Sequence, residues 1–134
     1  VIFVDTNVFM YAVGSPHRLK EQAREFFQEC SQSSTSLYTS AEVLQELLHA
    51  YLPVRRSQTL DAAMALIEGA GVDVWPLEEA DIALARQLYA QRPFLAARDL
   101  CHLASCRRRG VREIKTFDQT LADAALAMGM SQFA

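Results

Sequence analysis

Short apolar runs alternate with longer amphipathic stretches along the whole chain. Val1 to Val4 is β-branched, aromatic and too short for a helix, so it reads as a buried strand. Asp5-Thr6-Asn7 supplies capping and turn residues, and Val8 to Val13 begins a short helix that Gly14-Ser15-Pro16 ends. From His17 to Cys30 the residues Leu19, Ala23, Phe26, Phe27 and Cys30 mark one face of an amphipathic helix. The hydroxyl-rich stretch Ser31 to Ser36 predicts a loop. Leu37 to Thr39 predicts a second strand, and Ser40 caps a helix that runs to about Leu52, where Pro53 stops it. Its inward stripe is Leu44, Leu47, Leu48 and Tyr51. Ser57 caps a further helix through Leu60, Ala63, Met64 and Ile67, closed by Gly69 and Gly71.

The second half repeats the alternation. Val72 to Trp75 predicts a third strand, stopped by Pro76, and Glu78 to Gln91 a helix with Ile82, Ala85, Leu88 and Tyr89 inward. Arg92-Pro93 breaks it. Ala97 to Arg109 is helical up to Gly110, and Glu113 to Thr116 is a fourth strand. Asp118 opens a last helix to about Met128, and Ser131 to Phe133 is a marginal fifth strand. Alternation of this kind predicts a three-layer α/β/α sandwich around a central parallel sheet of four to five strands, as one domain over residues 1–134. In such sheets ligands bind beyond the carboxyl ends of the strands. Chemistry is therefore expected just after Val4, Thr39, Trp75 and Thr116.

Composition narrows the class. Hydrophobic residues make up 51% and charged residues 22%, which excludes a disordered or fibrous chain. No apolar run is long enough to span a bilayer, and no secretion-type leader pattern is visible. Cys30, Cys101 and Cys106 lack paired zinc spacing and read as reduced thiols, so a cytoplasmic protein is expected. The net charge of −3 argues against a general nucleic-acid binder.

The acidic residues carry the chemistry. Asp5 follows the first strand and Asp118 the fourth, so both fall on the ligand-binding edge. Asp99 lies in the first turn of a helix that is apolar almost all round, and partial burial is expected. Glu42 and Glu46 share a face of the helix after the second strand, and periodicity alone does not choose between them. Converging carboxylates repel one another and are costly to bury, and a divalent cation with oxygen ligands relieves both effects. Hard oxygen donors point to Mg²⁺ or Mn²⁺ rather than zinc.

Four motifs in order, Val4 to Asn7, Thr39-Ser40 with the helix bearing Glu46, Ala97 to Ala104, and Lys115 to Asp118, resemble the PIN domain family of metal-dependent ribonucleases, most closely its VapC-type toxins. The resemblance covers nearly the whole chain. It implies that Asp5, Glu46, Asp99 and Asp118 hold Mg²⁺ or Mn²⁺, with Thr6, Asn7 and Thr116 in support, and it selects Glu46 over Glu42. It implies an endoribonuclease that leaves a 5′-phosphate, a small VapB-like antitoxin as partner, and an apolar homodimer face. Leu121 departs from the Phe found in many relatives, a change of packing only.

Setting those four acids (−4) aside leaves the remainder of the −3 chain at +1, so RNA can dock on local basic residues. Arg98, Arg112 and Lys115 are the substrate-side candidates, with Arg98 equally suited to an ion pair. Arg107 to Arg109 suit a helix C-terminus, and Arg55 and Arg56 form a second basic group. His102 and Cys106 share a helix face with Asp99 and read as core. A phosphoacceptor signalling domain is the competing class. It calls for paired acids after the first strand and an acceptor Asp after the third, where Thr6 and Pro76 stand. An inactive binding module on the same fold is the other alternative, and the four retained acids speak against it.

Overall fold

The computed structural model of the chain describes residues 1–133. Five short strands, β1 (Ile2–Val4), β2 (Leu37–Ser40), β3 (Asp73–Trp75), β4 (Glu113–Lys115) and β5 (Ser131–Gln132), form one sheet in the order β3-β2-β1-β4-β5. Every pairing is parallel, with Phe3 beside Tyr38 on one side and Ile114 on the other. The helices are α1 (Thr6–Val13), α2 (Lys20–Gln32), α3 (Ala41–Tyr51), α4 (Ser57–Gly69), α5 (Glu79–Tyr89), α6 (Ala97–Arg109) and α7 (Gln119–Ala127). Right-handed crossovers put α1 to α4 on one face and α5 to α7 on the other. The expected three-layer α/β/α architecture is therefore present, with all five strands.

Strand alternation sorts the core into two halves. Phe3, Tyr38 and Trp75 stack on the α6 side, with ring centroids 5.6 Å apart in each pair with Trp75. Phe9 of α1 packs on Phe27 of α2, and both are buried on the opposite side. The chain steps outward from β1 to β2 to β3 and then crosses back to β4 beside β1. The carboxyl ends of β1 and β4 therefore flank the topological switch point, where connections diverge and a crevice opens.

Several helix details differ from the sequence pattern. α2 begins at Lys20 and runs through Ser31 to Gln32, ending where the Ser33 hydroxyl donates to the Glu29 carbonyl. Arg56, not Ser57, holds the N-cap position of α4, without a side-chain bond. The buried stripe of α3 is Val43, Leu47 and Tyr51, while Leu48 is exposed. In α5 the inward residues are Asp81, Ala85 and Leu88; Ile82 and Tyr89 face out, as does Met64 of α4.

Asp81 takes its buried place because cations meet it there. Arg108 and Arg109 donate to its Oδ1 at 2.7 and 2.9 Å, and Glu78 and Asp81 form a reciprocal capping box at the start of α5. Arg109 also donates to Glu78 at 2.7 Å and lies 4.9 Å over the Trp75 ring. The arginine run at the end of α6 is thus tied to α5, and Gly110, in the left-handed region at φ 70°, closes the helix. Burial pushes the Asp81 carboxyl up, but the bonds from Arg109, the Glu78 backbone and Arg108 outweigh it and hold it below the usual aspartate range. A lowered carboxyl stabilises the fold above the ordinary value near ~4 and loses that contribution as acid titrates it. Asp81→Asn is expected to cost about 1–2 kcal/mol at pH 7, a modest figure because the arginine ends reach solvent. Urea titrations at falling pH should show wild type and variant converging below about pH 4.

Candidate active site

Asp5 directly follows β1 and is the N-cap of α1. Its Oδ1 accepts from the Thr6 amide at 2.8 Å. Its Oδ2 accepts from the Thr116 hydroxyl at 2.7 Å and from the Asn7 amide at 3.2 Å. The same Thr116 oxygen accepts from the Asp118 backbone N–H at 3.0 Å, and Asn7 Oδ1 accepts from the Phe117 N–H at 3.0 Å. Thr116 and Asn7 therefore lock the ends of β1 and β4 together around one carboxylate.

Glu46 arrives from α3. Its Oε2 accepts from the Thr6 hydroxyl, and its Oε1 lies 3.0 Å from His102 Nε2 and 4.0 Å from Arg98 Nε. His102, on α6, is fully buried, and its Nε2 also stands 3.7 Å from Asp5 Oδ1. Among the described residues its Nδ1 has no hydrogen-bond partner. The hydrogen-bond network therefore assigns Nε2–H as the donor to Glu46. The neutral form that would free the Nε2 lone pair buries an N–H at Nδ1 with nothing to accept it. His102 thus orients Glu46.

Asp99, one turn earlier on α6, and Asp118, the N-cap of α7, line a cavity of about 590 Å³ together with Asp5 and Glu46. Asp118 Oδ1 also accepts from Thr120 N at 2.9 Å. Among the described residues, one carboxylate oxygen each of Asp5 and Glu46 and one imidazole nitrogen of His102 lie within 4.8 Å of one another. Asp99 and Asp118 fall outside that tight group but share its cavity.

The electrostatics follow from burial and crowding. Burial pushes the Asp5 carboxyl up, against the pull of His102 and the Thr116 bond. Burial, then repulsion from Asp5, carries Asp99 to about 6. Burial also acts on Glu46, but the His102 bond overrides it and holds that carboxyl below its ordinary value. Burial pulls His102 down, while Glu46, Asp5 and Asp99 pull it up and prevail. Buried oxygens short of cationic partners are a donor set that suits a hard divalent ion.

Two residues in or beside this cavity were passed over in the sequence pattern. Glu42 lines it, its carboxyl raised by burial and by Glu46. His102 is core, as expected, yet it also bonds Glu46; its place three residues after Asp99 on one helix face was the available signal. Among the substrate-side candidates, Arg98 is at the cavity with its side chain 59% exposed. Arg112 is exposed at the start of β4, the opposite edge of the sheet. Lys115 is buried, its ammonium 4.9 Å over Phe117 and 5.6 Å over Phe26, so it faces the core and not the cavity.

Residues 2–126 match the PIN domain family. The chain belongs to that family. Ribonuclease VapC23 of Mycobacterium tuberculosis is 57% identical over 124 residues, 92% of this chain and 98% of the relative. In fold, this PIN domain is similar to the crystal structure of Mycobacterium tuberculosis VapC20, described as a Sarcin-Ricin loop cleaving toxin. The TM-score is 0.76 at 19% identity, over 97% of this chain and 96% of that one. It is also similar to a chain of a toxin-antitoxin complex from Klebsiella pneumoniae, with a TM-score of 0.61 at 18% identity over 89% and 88%.

A carboxyl raised by its surroundings weakens the fold wherever it is ionised. The penalty from Asp99 is full above about pH 6 and vanishes as pH falls toward the ordinary aspartate value. Asp99→Asn should therefore stabilise the PIN domain in a chelating buffer by up to about 3 kcal/mol at pH 7.5 and by little near pH 4. Thermal melts at the two pH values measure the difference.

Proposed function

We propose that the chain is a Mg²⁺- or Mn²⁺-dependent endoribonuclease toxin of a toxin–antitoxin pair. The observation that carries this reading is the convergence of Asp5, Glu46, Asp99 and Asp118 on one cavity at the switch point of the sheet. The ribonuclease name of a relative 57% identical along nearly the full chain supports the reaction class. The toxin-antitoxin complex among similar folds supports a small VapB-like antitoxin as partner. The exposed apolar residues Leu48, Leu52 and Val54 suit the expected homodimer. Among the described residues no helix is long and apolar enough to cross a membrane, and RNA in the cytoplasm is the expected encounter.

In this reading Asp5, Glu46, Asp99 and Asp118 hold the ion. The bound cation supplies charge neutralisation for the phosphate and a lowered pKa for water. Thr116 and Asn7 fix the Asp5 carboxylate through its Oδ2, and His102 and Thr6 fix Glu46 through its two oxygens. Either Asp5 or Asp99 accepts the proton of the attacking water. Arg98, at the cavity mouth, offers its guanidinium to a phosphate oxygen. Hydrolysis breaks the bond between phosphorus and the 3′ oxygen, leaving a 5′-phosphate and a 3′-hydroxyl.

The purified chain is expected to cut single-stranded RNA with Mn²⁺ or Mg²⁺ and to stop in EDTA. Asp5→Asn, Glu46→Gln and Asp99→Asn should each lower the rate by ~10²–10⁴-fold, with retained folding checked by circular dichroism. RNA left intact by the wild type under every divalent ion overturns the reading.

A further inference from the structure

A second cavity, of about 380 Å³, adjoins the acidic one and shares Asn7 and Met10 with it. Its chemistry is the reverse of its neighbour's. Tyr11, His17, Tyr51 and Arg56 line it, and no carboxylate does. The Tyr11 and His17 rings lie 4.7 Å apart, and Tyr11 also packs edge-on against Phe117, whose amide is bonded to Asn7 of the acidic site. The loop that carries His17 is held in place. Lys20 donates to the Gly14 carbonyl at 2.7 Å, and His17 Nδ1 accepts from the Leu19 N–H at 3.1 Å, which leaves Nε2 as the ring's donor. Gly14 has no room for a side chain, since a Cβ there would stand 2.8 Å from the Met10 carbonyl.

We propose that this cavity is a nucleotide subsite that seats the residue next to the cleaved phosphate, with its base against Tyr11 and His17 and its backbone toward Arg56. The inference rests on the ribonuclease reading of the adjoining site. Tyr11 is five positions beyond Thr6 on α1, about 7.5 Å along the helix axis, within reach of the neighbouring nucleotide. The acidic cavity repels the RNA backbone until an ion is bound. A cationic aromatic recess beside it supplies the attraction that the acids lack, and aromatic faces accept any base while a guanidinium holds phosphate.

Two measurements test this. The first is steady-state cleavage of single-stranded RNA in Mn²⁺ by the wild type, Arg56→Ala, Tyr11→Ala and Tyr11→Phe. The alanine variants should raise KM roughly 5- to 100-fold, with kcat changing far less, and Tyr11→Phe should stay near wild type. Placing an abasic nucleotide beside the cut should cost the wild type a similar factor and cost Tyr11→Ala little more. The second is fluorescence anisotropy of the same RNA in Ca²⁺, which reads binding without relying on cleavage. Unchanged KM and binding in both alanine variants overturn the subsite, and Arg56, being exposed, answers even where Tyr11→Ala folds poorly. RNA binding that depends on Tyr11 and Arg56 in a chain that never cuts RNA overturns the ribonuclease reading and supports the subsite. Variants that handle RNA as wild type does but no longer bind the antitoxin show a protein docking site, and the proposal falls.

Discussion

The structure depends on holding several carboxylates together where water is scarce. Asp5 and Asp99 are each less than a tenth exposed, and both are raised above the usual aspartate range. That arrangement works against folding, since buried charges of one sign repel and lose hydration. The apolar core beneath, from Phe3 and Val4 through Leu47 and Leu103 to Ile114, is fully buried and offsets the cost. The polar partners are placed economically. One hydroxyl, that of Thr116, serves Asp5, Asn7 and the amide of Asp118. One imidazole, that of His102, orients Glu46 and lies close to Asp5.

Much of this was legible in the chain because local signals and global fold agree. Strands bounded by capping residues, Gly110 after α6 and Pro76 after β3 left little choice about element order. Asp5 and Asp118 could be placed on the ligand edge from their positions after strands alone. Glu46 could not, because α3 shows two acids on one face, and the resemblance decided between them; both line the cavity.

What stayed hidden is tertiary. The exposed side of α3 includes Leu48, so the apolar spacing of that helix misplaced its inward stripe by a fraction of a turn. α5 turns Asp81 inward and Ile82 outward because two arginines on α6 meet the acid, and no periodicity in α5 announces a partner nearly thirty residues away. The same pairing occupies Arg108 and Arg109. Lys115 reads as a substrate-side cation at the end of a strand, yet strand alternation turns it toward Phe26 and Phe133 in the core. His102 read as core, and it is; its bond to Glu46 depends on how α3 and α6 cross, which one sequence does not encode visibly.

The tie between the ends of β1 and β4 has a consequence for how the protein comes into being. Asp5 leaves the ribosome early, whereas Thr116 and Asp118 follow more than a hundred residues later. β4 also pairs directly with β1, so the centre of the sheet closes only when distant parts of the polypeptide meet. A chain that stops before Thr116 therefore carries three of the four acids but lacks the hydroxyl that joins Asp5 to Asn7 and to the Asp118 amide. The cleft therefore takes shape only once β4 has joined β1, and a chain that stops short of β4 does not have it.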